Sequence, residues 1–170
     1  MSAMGALSDA EPDPSSARAG QPPRYRPATP DDVPACVVLR GRTRENAIPV
    51  ESLAAMGITA ASWAEDVRSG LLPGYVCIDE GAIVGYCFGD VRTGEVVVLA
   101  LLPEHEAQGR GRDLLGLVVE RLVRAGHSRL FLGCSSDPRS RSHGFYRHLG
   151  WTSTGTLDGR GDETLELFPD

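Results

Sequence analysis

Between Leu99 and Arg112 an apolar run stops at Pro103. A short polar turn follows, and two glycines one residue apart, Gly109 and Gly111, lead into Asp113-Leu114-Leu115-Gly116-Leu117-Val118-Val119. That order reads as strand, turn and helix. Glycines in such a turn let the backbone approach a ligand closely. Free N–H groups at a helix start, with the positive end of the helix dipole, favour an anion such as phosphate. Spacing alone also fits a plain turn whose glycines serve packing. Two well-known phosphate loops do not fit. The third glycine of the dinucleotide fingerprint is replaced by Leu114, and the chain has no lysine for a Gly-Lys-Ser/Thr loop.

The flanking pattern supplies the fold class. Gly74 to Asp79, Ala82 to Asp90 and Glu95 to Leu101 are rich in Val, Ile, Tyr and Cys, and Glu80-Gly81 and Thr93-Gly94 separate them as tight turns. They predict an antiparallel meander whose last strand feeds the glycine turn. A helix from about Gly109 to Ala125 follows. Its apolar stripe is Leu114, Leu115, Val118, Val119 and Leu122, and Gly126 stops it. Arg129 to Cys134 is the next strand, which makes a βαβ unit with parallel strands. Asp137-Pro138 then starts a helix ending at Gly150, and Thr152 to Thr156 and Glu163 to Leu167 close the sheet around Asp158-Gly159.

Upstream, Tyr25 to Ala28 is a short first strand. Thr29-Pro30-Asp31-Asp32 opens a helix running to about Arg42, with Thr as cap and Pro in the first position. Thr43 to Ile58 reads as loop with a helical turn. Thr59 or Ser62 caps a second helix through Arg68, ended by Gly70. Met1 to Arg24, rich in Ala, Pro, Ser and Gly, reads as a disordered tail ahead of one domain over 25–170. The expected class is a mixed α/β sheet, an antiparallel meander followed by a βαβ unit, with helices on both faces.

Two segments together resemble the GNAT superfamily of N-acetyltransferases. Glu106-Ala107-Gln108-Gly109-Arg110-Gly111 is similar to that family's acyl-CoA loop, Gln/Arg-x-x-Gly-x-Gly/Ala, with Glu106 where the family has Gln or Arg. Phe145-Tyr146-Arg147-His148-Leu149-Gly150-Trp151 is similar to its Phe/Leu-Tyr-x-x-x-Gly-Phe/Trp segment. The resemblance implies transfer of an acetyl group from acetyl-CoA to an amine by direct attack, with no metal.

The resemblance also implies roles. Pantetheine would bond the backbone of Leu99, Ala100 and Leu101. The pyrophosphate would sit on the N–H groups of Ala107, Gln108, Gly109, Arg110, Gly111 and Arg112. Arg139, where family members often have Asn, would meet the 3′-phosphate. Glu106 is expected to point away or to pair with an arginine. Tyr146 would protonate the departing thiolate, and Glu95, at the head of the central strand, would take the proton from the amine. Each has a plainer alternative: a packed helix tyrosine, and a strand end after a Thr-Gly turn. Cys134, on the strand after the main helix, reads as a buried thiol. A non-catalytic acyl-CoA-binding module of the same fold stays open.

Composition narrows the partners. Between Gln108 and Leu149 eight arginines stand against three acids, so this window is +5 and the rest of the −6 chain is −11. The acidic total and the lack of interleaved aromatics argue against nucleic acid, and a polyanionic cofactor fits the basic window better. The acidic remainder favours a cationic acceptor. Cys36, Cys77, Cys87 and Cys134 lack Cys-x-x-Cys spacing, which argues against a zinc site and a disulfide framework. No apolar run spans a bilayer, and no secretory signal is evident, so no membrane partner and a cytoplasmic setting are expected. A homodimer stays open. The acceptor is not readable: a small amine, an aminoglycoside-like compound, a peptide N-terminus and a lysine side chain all remain.

Overall fold

The computed structural model describes residues 21–44 and 47–170. The tail expected over Met1 to Arg24 therefore lies, up to residue 20, outside the described residues, and Arg24 already belongs to the first strand. The strands are β1 (Arg24–Pro27), β2 (Gly74–Asp79), β3 (Ala82–Asp90), β4 (Glu95–Leu101), β5 (Leu130–Cys134), β6 (Thr152–Leu157) and β7 (Glu163–Leu167). The helices are α1 (Val33–Arg40), α2 (Val50–Ala55), α3 (Ala60–Arg68), α4 (Arg110–Arg124) and α5 (Arg141–His148). One sheet runs β1-β2-β3-β4-β5-β7-β6, antiparallel at every junction except β4 with β5.

Local chemistry explains the helix starts. Before α1 a short 3-10 turn, Pro30–Asp32, follows Thr29, whose N–H donates to Asp32 Oδ2 at 2.7 Å. Arg26 donates to both oxygens of the same buried carboxylate at 2.7 and 2.8 Å. The Arg26 contact holds the Asp32 carboxyl below its ordinary range against the opposing effect of burial. At α3, Thr59 and Ser62 bond reciprocally, each side chain accepting the other's N–H at 3.0 Å.

The sheet carries a core on each face. On one side Leu114, Leu115, Val118 and Leu122 of α4 are 2% exposed or less and pack with Cys77, Cys87, Leu130 and Leu132. On the other, Val33 and Val37 of α1 and Trp63 of α3 cover Tyr86 and Phe88 of β3, whose rings lie 5.7 and 5.2 Å from that of Trp63. Truncating a side chain such as Leu122 to Ala leaves a cavity worth about 2–5 kcal/mol.

Two local features depart from the expectation. The helix after β5 begins at Arg141, not at Asp137-Pro138. Asp137 is consumed by a β-turn: its carbonyl accepts the Ser140 N–H at 3.0 Å and its carboxylate accepts the Arg139 N–H at 2.9 Å. Ser140, with extended backbone, is then the residue from which α5 starts. In β4, Phe88 pairs with Val98 but Gly89 with Val96, so Val97 is an extra residue, a β-bulge.

The bulge lies beside the point where the sheet divides. β4 and β5 share a single register pair, Glu95 with Phe131, after which they part. β5 instead pairs over its whole length with β7 on its other side.

Candidate active site

Where β4 and β5 part, a cleft of about 950 Å³ opens. Its walls are Val96 to Leu101 of β4, Leu132 to Cys134 of β5, the turn before α4, and Phe145 and Tyr146 of α5. β4 bonds β3 along one edge, and beyond Glu95 no strand among the described residues lies beside its other edge. A strand edge of this kind pairs readily with an extended ligand rich in amides. Leu99, Ala100 and Leu101 line the cleft, and Val97 joins them with 45% of its surface exposed.

The turn before α4 is built from left-handed backbone. Ala107 has φ +59° and Gly109 φ +80°. A non-glycine residue there costs about 1 kcal/mol or more, and such strain gathers at ligand sites. A Cβ on Gly109 would meet nothing within 4 Å, so its backbone conformation explains the glycine. Gly111 has a different reason: a Cβ there would lie 3.2 Å from Leu101 and 3.4 Å from the Phe145 ring. It keeps α4 close to β4 and α5.

The loop's charged side chains are sorted by partner. Arg110 is nearly buried and pairs with Asp79 at 2.7 Å, and it also touches His105. Its side chain turns from the cleft, and only its backbone stays at the turn. Arg112 lines the cleft and forms no ion pair among the described residues. Gln108 points back, donating to the Glu104 carbonyl at 3.4 Å. Arg139 does not reach the cleft; it is bound to Asp137 at 3.1 Å and is largely exposed. Glu106, as expected, pairs with arginine, and with two of them: its Oε2 accepts from Arg44 Nε at 2.9 Å and from Arg141 Nη1 at 3.0 Å.

Tyr146 is 9% exposed, lines the cleft, and stacks edge-on with Phe145 and Trp151 at 5.0 and 6.2 Å. Burial pushes its phenol well above the usual value, with the Cys87 and Cys134 thiols adding to the effect. It therefore carries its proton at any working pH. Glu95 is half-buried at the far end of β4 from the loop. Burial is the main cause that raises its carboxyl, Asp90 and Asp158 raise it further, and Arg160 opposes them. Cys134 is buried, and burial lifts its thiol also. All four cysteines are buried free thiols. Among the described residues no group of His, Cys, Asp and Glu is arranged to hold a metal, and no helix is long and apolar enough to cross a membrane.

The sequence reading missed Val97, the Arg44 and Arg141 partners of Glu106, and the β6–β7 hairpin tip, whose Arg160 and Asp162 line the cleft near Glu95.

Residues 44–151 match the model of the acetyltransferase (GNAT) family. Solved structures share the fold. One is PaiA N-acetyltransferase from Thermoplasma acidophilum in complex with coenzyme A, 17% identical, covering 88% of this chain and 100% of that one at TM-score 0.74. An N-acetyltransferase from Staphylococcus aureus is 13% identical over 87% of this chain and 99% of that one, at 0.68. A phosphinothricin acetyltransferase from Sinorhizobium meliloti in complex with acetyl-CoA is 22% identical over 85% and 87%, at 0.64. No curated protein sequence matches.

Proposed function

This chain belongs to the GNAT acetyltransferase family, and we propose that it moves an acetyl group from acetyl-CoA to an amine by direct attack. The observation that carries this reading is the edge of β4 that no strand among the described residues covers beyond Glu95, which bears the bulged Val97 and leads into the strained turn at Ala107 and Gly109. A thioester with a pantetheine arm and a pyrophosphate fits that sequence of surfaces: amides to a strand edge, phosphates to a helix start. The relatives solved with coenzyme A or acetyl-CoA support the same donor.

The chain's own groups then divide the work. Backbone of Val97 to Leu101 aligns the arm. N–H groups between Ala107 and Arg112 take the phosphates, and Arg112 adds charge. Glu95, with its raised carboxyl, accepts a proton from the incoming ammonium, directly or through water. The amine nitrogen bonds the thioester carbonyl carbon, the C–S bond breaks, Tyr146 gives its proton to the departing sulfur, and the second proton that the nitrogen sheds as the amide forms returns to the phenolate through water. In this scheme no covalent enzyme intermediate forms. Arg139, bound to Asp137, has no part in this scheme.

A second reading, an acyl-CoA-binding module without catalysis, draws on Glu106, an acid in the loop where an anion is to bind. One experiment decides. Calorimetry with acetyl-CoA should show binding, and thiol release should rise when a panel of amines is added. Binding without release would favour the module. Absence of both would overturn the donor assignment.

A further inference from the structure

Arginines of the cleft differ in what they touch. Arg44 and Arg141 are committed to Glu106, and Arg112 stands at the loop end. Arg160 lines the opposite end, near Glu95, and forms no ion pair among the described residues. Its side chain is exposed, but the hairpin tip that carries it is braced. Asp158 Oδ1 accepts the backbone N–H groups of Arg160 at 2.8 Å and Asp162 at 3.0 Å. The Asp158 N–H donates to the Asp162 carbonyl at 2.7 Å, and the Gly161 N–H to the Asp158 carbonyl at 3.1 Å. The tip packs closely over Gly133 of β5: a Cβ there would lie 3.1 Å from Asp158 Oδ2. Arg160, Asp162 and Glu95 thereby share one end of the cleft.

That end presents both signs. Two carboxyl groups, Glu95 and Asp162, suit an ammonium, and burial raises the Asp162 carboxyl as it does that of Glu95. Glu95 and Asp162 act on the guanidinium of Arg160 through space, yet neither forms an ion pair with it, so an acceptor bearing only an amine would leave it without a directly bonded anion. An acceptor bearing an amine and a carboxylate satisfies both, since guanidinium recognises carboxylate with two parallel hydrogen bonds. We propose that Arg160 is a specificity residue that binds a carboxylate on the acceptor, so that the acceptor is an amine of amino-acid type. This rests on the acetyl-transfer reading and adds a substrate class to it.

The test compares L-amino acids with their α-carboxamides as acceptors of acetyl-CoA, in the natural chain and in Arg160→Gln and Arg160→Glu. An amide also changes the basicity of the amine, so the quantity read is the carboxylate-to-amide ratio of kcat/KM, in which that effect cancels between variants. The ratio should fall about tenfold or more in Arg160→Gln, the size of one charge-assisted contact, mainly through KM. It should fall further in Arg160→Glu, where two carboxylates oppose each other. Ratios equal within twofold in all three proteins overturn the proposal while leaving acetyl transfer intact. If the natural chain binds no coenzyme A and acetylates no acceptor, the underlying reading fails and this one with it. Melting temperatures of the variants should match the natural chain, since the side chain is exposed and the backbone of the turn is bonded through Asp158.

Discussion

Arg141 donates from Nη1 to Oε2 of Glu106 at 3.0 Å, joining the first residue of α5 to the loop ahead of α4. Arg44 reaches the same oxygen from the segment after α1. An acid at this place would repel phosphates if it stood alone. With two guanidinium groups on one oxygen its charge is locally balanced, and the carboxylate becomes a tie between three segments that border the cleft. Both arginines are about half exposed, so each pair is individually weak.

Replacing Glu106 by Gln keeps an accepting oxygen and removes the negative charge. Coenzyme A should then bind more tightly, on the order of fivefold, about the 1 kcal/mol of one solvated charge contact. Calorimetry at low and high salt checks this, because the gain should shrink as ions screen it. Weaker binding in the variant would mean that the tie shapes the loop and matters more than the charge.

The two loop glycines should respond differently to substitution. Gly111→Val pushes into Leu101 and Phe145 and should cost about 1–3 kcal/mol of stability, as overpacking does. Gly109→Ala meets no neighbour and pays only for its left-handed backbone, about 1 kcal/mol. Thermal melts should therefore rank Gly111→Val as the less stable. Loss of coenzyme A affinity in Gly109→Ala is the cleaner report on the loop, because no packing is disturbed there.

The ease with which parts of this fold are read from sequence has a local cause. β2, β3 and β4 have the expected bounds because Gly81 and Gly94 take the left-handed backbone that ends a strand, a preference written in the residue type, and Glu80 joins Gly81 in that turn against its own preference. The stripe on α4 is likewise a matter of period. The bulge at Val97 is not legible, since Val96, Val97 and Val98 are alike and the extra residue appears only when β3 is laid beside them. Glu106 and Arg44 stand 62 positions apart, and Arg110 could not be assigned to Asp79 without the sheet between them. The order of β7 between β5 and β6 is also a long-range fact, set by pairing and not by composition. At Asp137-Pro138 the signal was genuine but ambiguous: the same two residues open a helix or a turn, and here they make the turn.

Tyr146→Phe removes a hydroxyl that makes no hydrogen bond among the described residues, and it leaves the ring contacts with Phe145 and Trp151 in place. Melting temperature and coenzyme A affinity should stay close to those of the natural chain. If the hydroxyl protonates the leaving sulfur, kcat should drop by about 10²-fold or more. A change below threefold, with chemistry shown to limit the rate, would return Tyr146 to packing alone.

Glu95 offers the sharpest test because its raised carboxyl predicts stability and rate together. Its folded value lies above the ordinary one, chiefly through burial. The folded state therefore favours the protonated form. The stability it contributes is complete below the unfolded value and is lost as pH rises through the folded one. Glu95→Gln removes that loss, so the variant should be at least as stable as the natural chain at neutral pH, with no such gain in acid. Activity should move the other way. For the natural chain, kcat/KM should climb with pH along a limb whose midpoint lies above that of an ordinary glutamate. The variant should lose most activity near neutrality and regain part of it in alkali, where the amine arrives already deprotonated. Urea melts and a pH–rate series on the same two proteins give both readouts. A variant with the stability gain and an unchanged rate profile would make Glu95 a strained strand end, and the proton would pass to water or to Asp162 instead.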